Sequence, residues 1–157
     1  MLATGNAVRR IVIAGAGQPW ERVRGQVENL LGVCDRLLAA RAPDWVGHCK
    51  ALVESADGSG SYASLTAHGE PVTWAGRAGM PGVISTPILT LYCVVYGTTD
   101  DVVEAVATEA LRVCLPWANA APTATPQTVP DVIALGAIVR RGRSGRRGVS
   151  GSEERDG

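Results

Sequence analysis

The sequence predicts an α+β, helix-rich fold: an N-terminal helical hairpin, one or two strands and a third helix, followed by a disordered C-terminal tail. Three observations lead there. Apolar residues recur near every 3.6 positions at Val23, Val27, Leu30, Leu31, Cys34, Leu37 and Leu38, and again at Trp45, Val46, Cys49, Leu52 and Val53. Each set can hold one wet face and one dry face. A third stripe, Val102, Val103, Val106, Ala110, Leu111 and Cys114, follows an acidic cluster. Before it, Ile88 to Tyr96 is a β-branched and aromatic run that suits a pleated strand.

In chain order, residues 10–14 read as a short strand ending at Gly15. The first helix is expected from about Pro19 to Ala40. Pro19 fits a first turn, where its missing N–H has no partner anyway. Gly25 and Gly32 weaken that helix by roughly 1 kcal/mol each relative to Ala. Arg41 to Pro43 breaks it. A second helix is expected from Pro43 or Asp44 to Asp57-Gly58, where Gly can take a left-handed cap. So short a connection makes the two helices antiparallel neighbours. Residues 57–82 are rich in Gly, Ser, Pro and Ala without a period, and read as a long loop with a short helix around Tyr62–Ala67. Pro87 and Gly97 bracket the 88–96 strand. Thr98 or Thr99 caps the third helix, and Asp100, Asp101 and Glu104 complement the positive end of its dipole. Pro116 ends it. The expected organisation is a globular domain over 1–115, a Pro-rich linker over 116–130, a short apolar element over 131–139 and a disordered Arg-rich tail over 140–157.

The 157 residues suffice for one domain, and 46% of them are hydrophobic. That apolar set is dominated by small side chains and contains no Phe, so each residue buries little area. Lys50 is the sole lysine against fourteen arginines, a bias expected of a bacterial, high-GC coding sequence. Formal net charge is zero, yet residues 1–138 carry −3 and residues 139–157 carry +3. Cys34, Cys49, Cys93 and Cys114 form no C-x-x-C pair and read as small buried hydrophobes in a reducing cytosol. Arg9-Arg10 before Ile11–Gly17 is too short and too glycine-rich for a signal peptide. Val83 to Tyr96 is too short and too polar to cross a bilayer. A cytoplasmic protein without membrane contact is expected.

The motifs argue against cofactor, metal and catalytic centre. Gly15-Ala16-Gly17 after a strand invites a dinucleotide reading, but Trp20 occupies the third glycine position and Pro19 removes a backbone donor. His48 sits beside Cys49, where neighbouring helix positions point about 100° apart and cannot pair; with Asp44 it makes an i, i+4 contact. His68 lies near Glu70, and no histidine–cysteine spacing suits a metal. Ser61 and Ser64 have no identifiable base. The expected function is therefore non-catalytic: an accessory module that binds another protein through an exposed helix face or the 57–82 loop, with Trp74 as a candidate anchor. Two alternatives stand beside it. Arg140, Arg141, Arg143, Arg146 and Arg147 form a flexible cationic segment that can pair nucleic-acid phosphates, although no aromatic residue is interleaved for base stacking. Cys49 or Cys34 would carry thiol chemistry if a neighbour activated it.

Overall fold

Alternation, not helical periodicity, governs residues 46–54. Gly47, Cys49, Ala51 and Val53 are buried, while Val46, His48, Lys50, Leu52 and Glu54 point to the other side. The segment is a strand. The structure, a computed structural model, describes residues 3–13, 17–76, 80 and 82–116. Its elements are β1 (Thr4–Val12), β2 (Gln18–Pro19), α1 (Trp20–Ala39), β3 (Val46–Glu54), β4 (Gly60–Ala67), β5 (Thr73–Gly76), β6 (Val83–Ile84), β7 (Ile88–Tyr96) and α2 (Asp100–Cys114). Five strands form one antiparallel sheet in the order β1-β7-β3-β4-β5, and β2 pairs with β6 in a separate ribbon.

The helix-rich expectation is thereby overturned: the described residues form a mostly-strand α+β arrangement with two helices. No helical hairpin forms, because its second arm is β3. The cause is legible in β3 itself. Val46 and Leu52 are apolar on the outward side and Cys49 and Val53 are apolar on the inward side, so the two faces together imitate a helical spacing. Gly47 also fits a strand better than a helix. A Cβ there would meet the Val94 carbonyl oxygen at 2.1 Å, so only glycine allows β7 to approach this closely. The residues read as a helix end make a hairpin turn instead. The Asp57 carboxylate accepts from the Ser59 N–H at 2.9 Å and from its hydroxyl at 2.6 Å, an Asx-type closure, and Gly58 adopts φ +81°.

The expected 57–82 loop is likewise replaced, by β4 and β5. In β4, Ser61, Ala63 and Leu65 point inward, and these mostly small side chains gave no strong hydrophobic alternation to read. Residues 10–12 of the strand expected at 10–14 are the end of the longer β1, and Ala14 lies outside the described residues. The first and third helices lie where their apolar stripes place them. Val23, Val27, Leu30, Leu31, Cys34 and Leu38 of α1, with Val103, Val106, Ala107, Ala110 and Leu111 of α2, are buried. Against them pack Leu89, Leu91, Cys93 and Val95 of β7. α1 lies over β3 and β4, and α2 over β1 and β7. Both helices cover the inward side of the sheet. Among the described residues, no helix is long and apolar enough to cross a membrane.

Candidate functional site

Partners across an antiparallel ladder share a face, so the register maps the side of the sheet opposite the helices. Thr4, Tyr96 and Val46 form its first row, and Asn6, Val94 and His48 its second. Val8, Tyr92, Lys50 and Ser64 form the third, then Arg10, Thr90, Leu52 and Tyr62 the fourth. Val12, Ile88 and Glu54 close it. No described element covers this side. Tyr62, Lys50 and Tyr92 are half-buried by their neighbours, whereas Val46 is 57% and Tyr96 44% exposed.

Three features distinguish the open face. It carries all three tyrosines of the chain, Tyr62, Tyr92 and Tyr96. It carries the sole lysine, whose ammonium lies 5.8 Å from the centroid of the Tyr62 ring, within cation–π range. It also gathers positive charge: Arg10 and Lys50 against Glu54. Of the acidic residues on the helices, Glu28 accepts from Trp74 on the covered side, whereas Asp100 accepts from the backbone and side chain of Asn6 at the β1 edge. Trp20 and Trp74 are both on the covered side, so among the described residues the two kinds of aromatic residue are segregated.

Trp74 falls on β5, not in a loop, opposite Ala63 and turned toward α1. Its indole stands edge-on to Trp20 with centroids 5.3 Å apart. Its N–H donates to Glu28 at 2.8 Å, and the Arg24 guanidinium lies 5.8 Å from its ring centroid. The indole is half-buried by these contacts. The tail arginines Arg140, Arg141, Arg143, Arg146 and Arg147 lie outside the described residues, as do the 117–139 segment and Gly15-Ala16.

A second cluster centres on Asp35. Its carboxylate accepts from Trp45 Nε1 at 3.0 Å and from the Gly69 N–H at 3.3 Å, and meets His68 Nδ1 at 2.8 Å. Burial alone would push this carboxyl up; the hydrogen bonds from His68, Trp45 and Gly69 outweigh it and hold the group below its ordinary value. The node ties the C-terminal half of α1 to Trp45 and to the β4–β5 turn. No sequence signal announced it, since Asp35 and His68 are 33 positions apart in no motif.

The cysteines form a third cluster. Cys49 and Cys93 are register partners on the inward face, and the Cys34 thiol neighbours that of Cys93. With burial, these neighbours push the Cys93 thiol well above its ordinary value. Cys34 and Cys49 are sealed from solvent, away from the exposure that a reactive thiolate needs. His48 and Cys49 point to opposite sides of the sheet and cannot meet. Among the described residues, no group of three or more His, Cys, Asp or Glu side chains could hold a metal ion. No protein-family model matches the chain, and comparisons with curated proteins and with solved structures find no match either.

Proposed function

We propose that this chain is a non-catalytic accessory module of the cytoplasm that binds its partner through the open face of its sheet. One observation carries the reading: the three tyrosines and the single lysine all lie on the one side of the sheet that no described element covers. A solvated sheet face needs only polar residues. This one adds Val8, Val12, Val46, Leu52, Ile88 and Val94, a contiguous apolar and aromatic surface of the kind associated with recognition. The contact that the sequence assigned to a helix face or a 57–82 loop moves to this surface. The Asp35–His68 pair and the buried thiols have structural work, as a clasp and as core packing.

The lone lysine makes the reading directly testable. Lys50 is the only side-chain amine, so its acylation by an activated ester, read by mass spectrometry, reports the state of this face alone. In clarified extract of the source cell, Lys50 of the full chain is expected to acylate several-fold more slowly than in buffer, normalised to an added lysine peptide. The Val94→Glu variant, which places a carboxylate in the middle of the face, is expected to lose the protection. Equal rates in extract and buffer would overturn the reading.

A further inference from the structure

Resting on that reading, we propose that the ligand of the open sheet face is single-stranded nucleic acid, its bases stacked on Tyr92 and Tyr62 and its phosphates held by Lys50 and Arg10. Charge selects the ligand class. Residues 1–138 carry −3 overall; α1 balances Glu21, Glu28 and Asp35 with Arg22, Arg24 and Arg36, so the acidic excess sits on α2. α2 carries four acidic side chains against Arg112, whereas the open face carries Arg10 and Lys50 against Glu54, so a polyanion is disfavoured along α2 and accepted on the open face.

The aromatic residues narrow the class further. A base stacks on a ring whatever its sequence, and cationic neighbours track the backbone. Tyr92 stands on β7, next to Lys50 on β3, and Tyr62 is one strand beyond, on β4. With strands roughly 4.8 Å apart and about 3.4 Å per residue, the two rings are on the order of 12 Å apart across the sheet. Tyr96, four residues from Tyr92 on β7, extends the platform by about 14 Å. This span suits two or three unstacked bases. A duplex hides its bases, and a sheet face without protruding elements cannot enter its grooves. The arrangement also supplies what the arginine tail lacks, namely rings for stacking.

The test uses the full chain and fluorescein-labelled oligouridylate and oligothymidylate twelve-mers, with a duplex of equal length as competitor. Fluorescence anisotropy is expected to show saturable, salt-sensitive binding of the single strands in preference to the duplex. Tyr92→Ala is expected to weaken it about tenfold, whereas Tyr92→Phe, which keeps the ring, leaves it within about twofold. Lys50→Gln, a change in a partly exposed side chain that the fold tolerates, is expected to lower the slope of log K against log salt by about 0.7. Deleting residues 140–157 must leave the Tyr92 effect in place. Absence of single-strand binding, preference for the duplex, or binding that vanishes with the tail and ignores Tyr92 and Lys50 would each overturn the inference. The extract experiment separates the two claims. Lys50 protection abolished by nuclease treatment supports the nucleic-acid ligand; protection that survives nuclease leaves the face as the binding surface and removes nucleic acid as its occupant.

Discussion

The Asp35 carboxylate, accepting from Trp45 and Gly69 and paired with His68, has a thermodynamic signature. Its folded-state pKa lies below the ordinary 3.8. It therefore contributes stability that is fully present above the ordinary carboxylate range and is lost as pH falls through the folded value. Asp35→Asn keeps an acceptor for the Trp45 indole and removes the charge. At pH 6 this variant is expected to be about 1–2 kcal/mol less stable than the parent in urea titrations. The gap should narrow as pH falls below the ordinary carboxylate range and the parent carboxylate protonates; a gap independent of pH would contradict the assignment. Neither Asp35 nor His68 advertised the pairing. Each belongs to a segment with its own local logic, one a helix and the other a turn, and only the docking of α1 beside the β4–β5 turn brings them together.

At the scale of elements, legibility followed the completeness of each pattern. α1 and α2 have apolar stripes on one side and polar residues on the other, so their periodicity was unambiguous. Both carry signals of their ends as well: Pro19 before α1, and acidic residues opening α2. The glycines in α1 were read as weak points, and Gly25 is a removable one. It is exposed, and a Cβ there meets nothing within 4 Å. Gly25→Ala is expected to stabilise the fold by about 1 kcal/mol, seen as a higher urea midpoint with an unchanged slope. β3 defeated the same reasoning because both of its faces are partly apolar. β4 and β5 defeated it because Ser, Gly and Ala carry little hydrophobic signal, while their strand character comes from pairing with neighbours. The edge strand β1 shows pairing controlled from outside the sheet. The Asn6 N–H donates to the Asp100 carboxylate at 2.7 Å, the Thr4 carbonyl accepts from Asn6 Nδ2 at 3.3 Å, and the Val8 carbonyl accepts from Arg9 at 3.0 Å. Part of an edge that could recruit another strand is thus capped, in part by α2. Asp100, read from sequence as a helix-dipole residue, also does this second task.

For the molecule as a whole, the cysteines report how the layers close. Cys34 from α1 meets Cys93 and Cys49 from the sheet at the centre of the core, and Cys114 at the end of α2 is only partly buried. In a native thiol-labelling time course, Cys114 is expected to react first, slowed by the burial that raises its pKa. Cys34, Cys49 and Cys93 should react together, at the rate of global opening, and their rates should rise in parallel with denaturant. Early labelling of Cys34 or Cys49 alone would reveal a reactive thiol and revive the enzymatic alternative.

By itself the sequence determined the two amphipathic helices, the 88–96 strand and the segregation of charge between body and tail, because each is written in contiguous residues as a period, a cap or a composition. The tertiary structure decided the rest. Whether residues 46–54 coil or extend depends on whether β7 and β4 are there to complete their hydrogen bonds, and the tyrosines become one surface only when three strands align in register. Long-range pairing sets both, and no local window of the chain contains it.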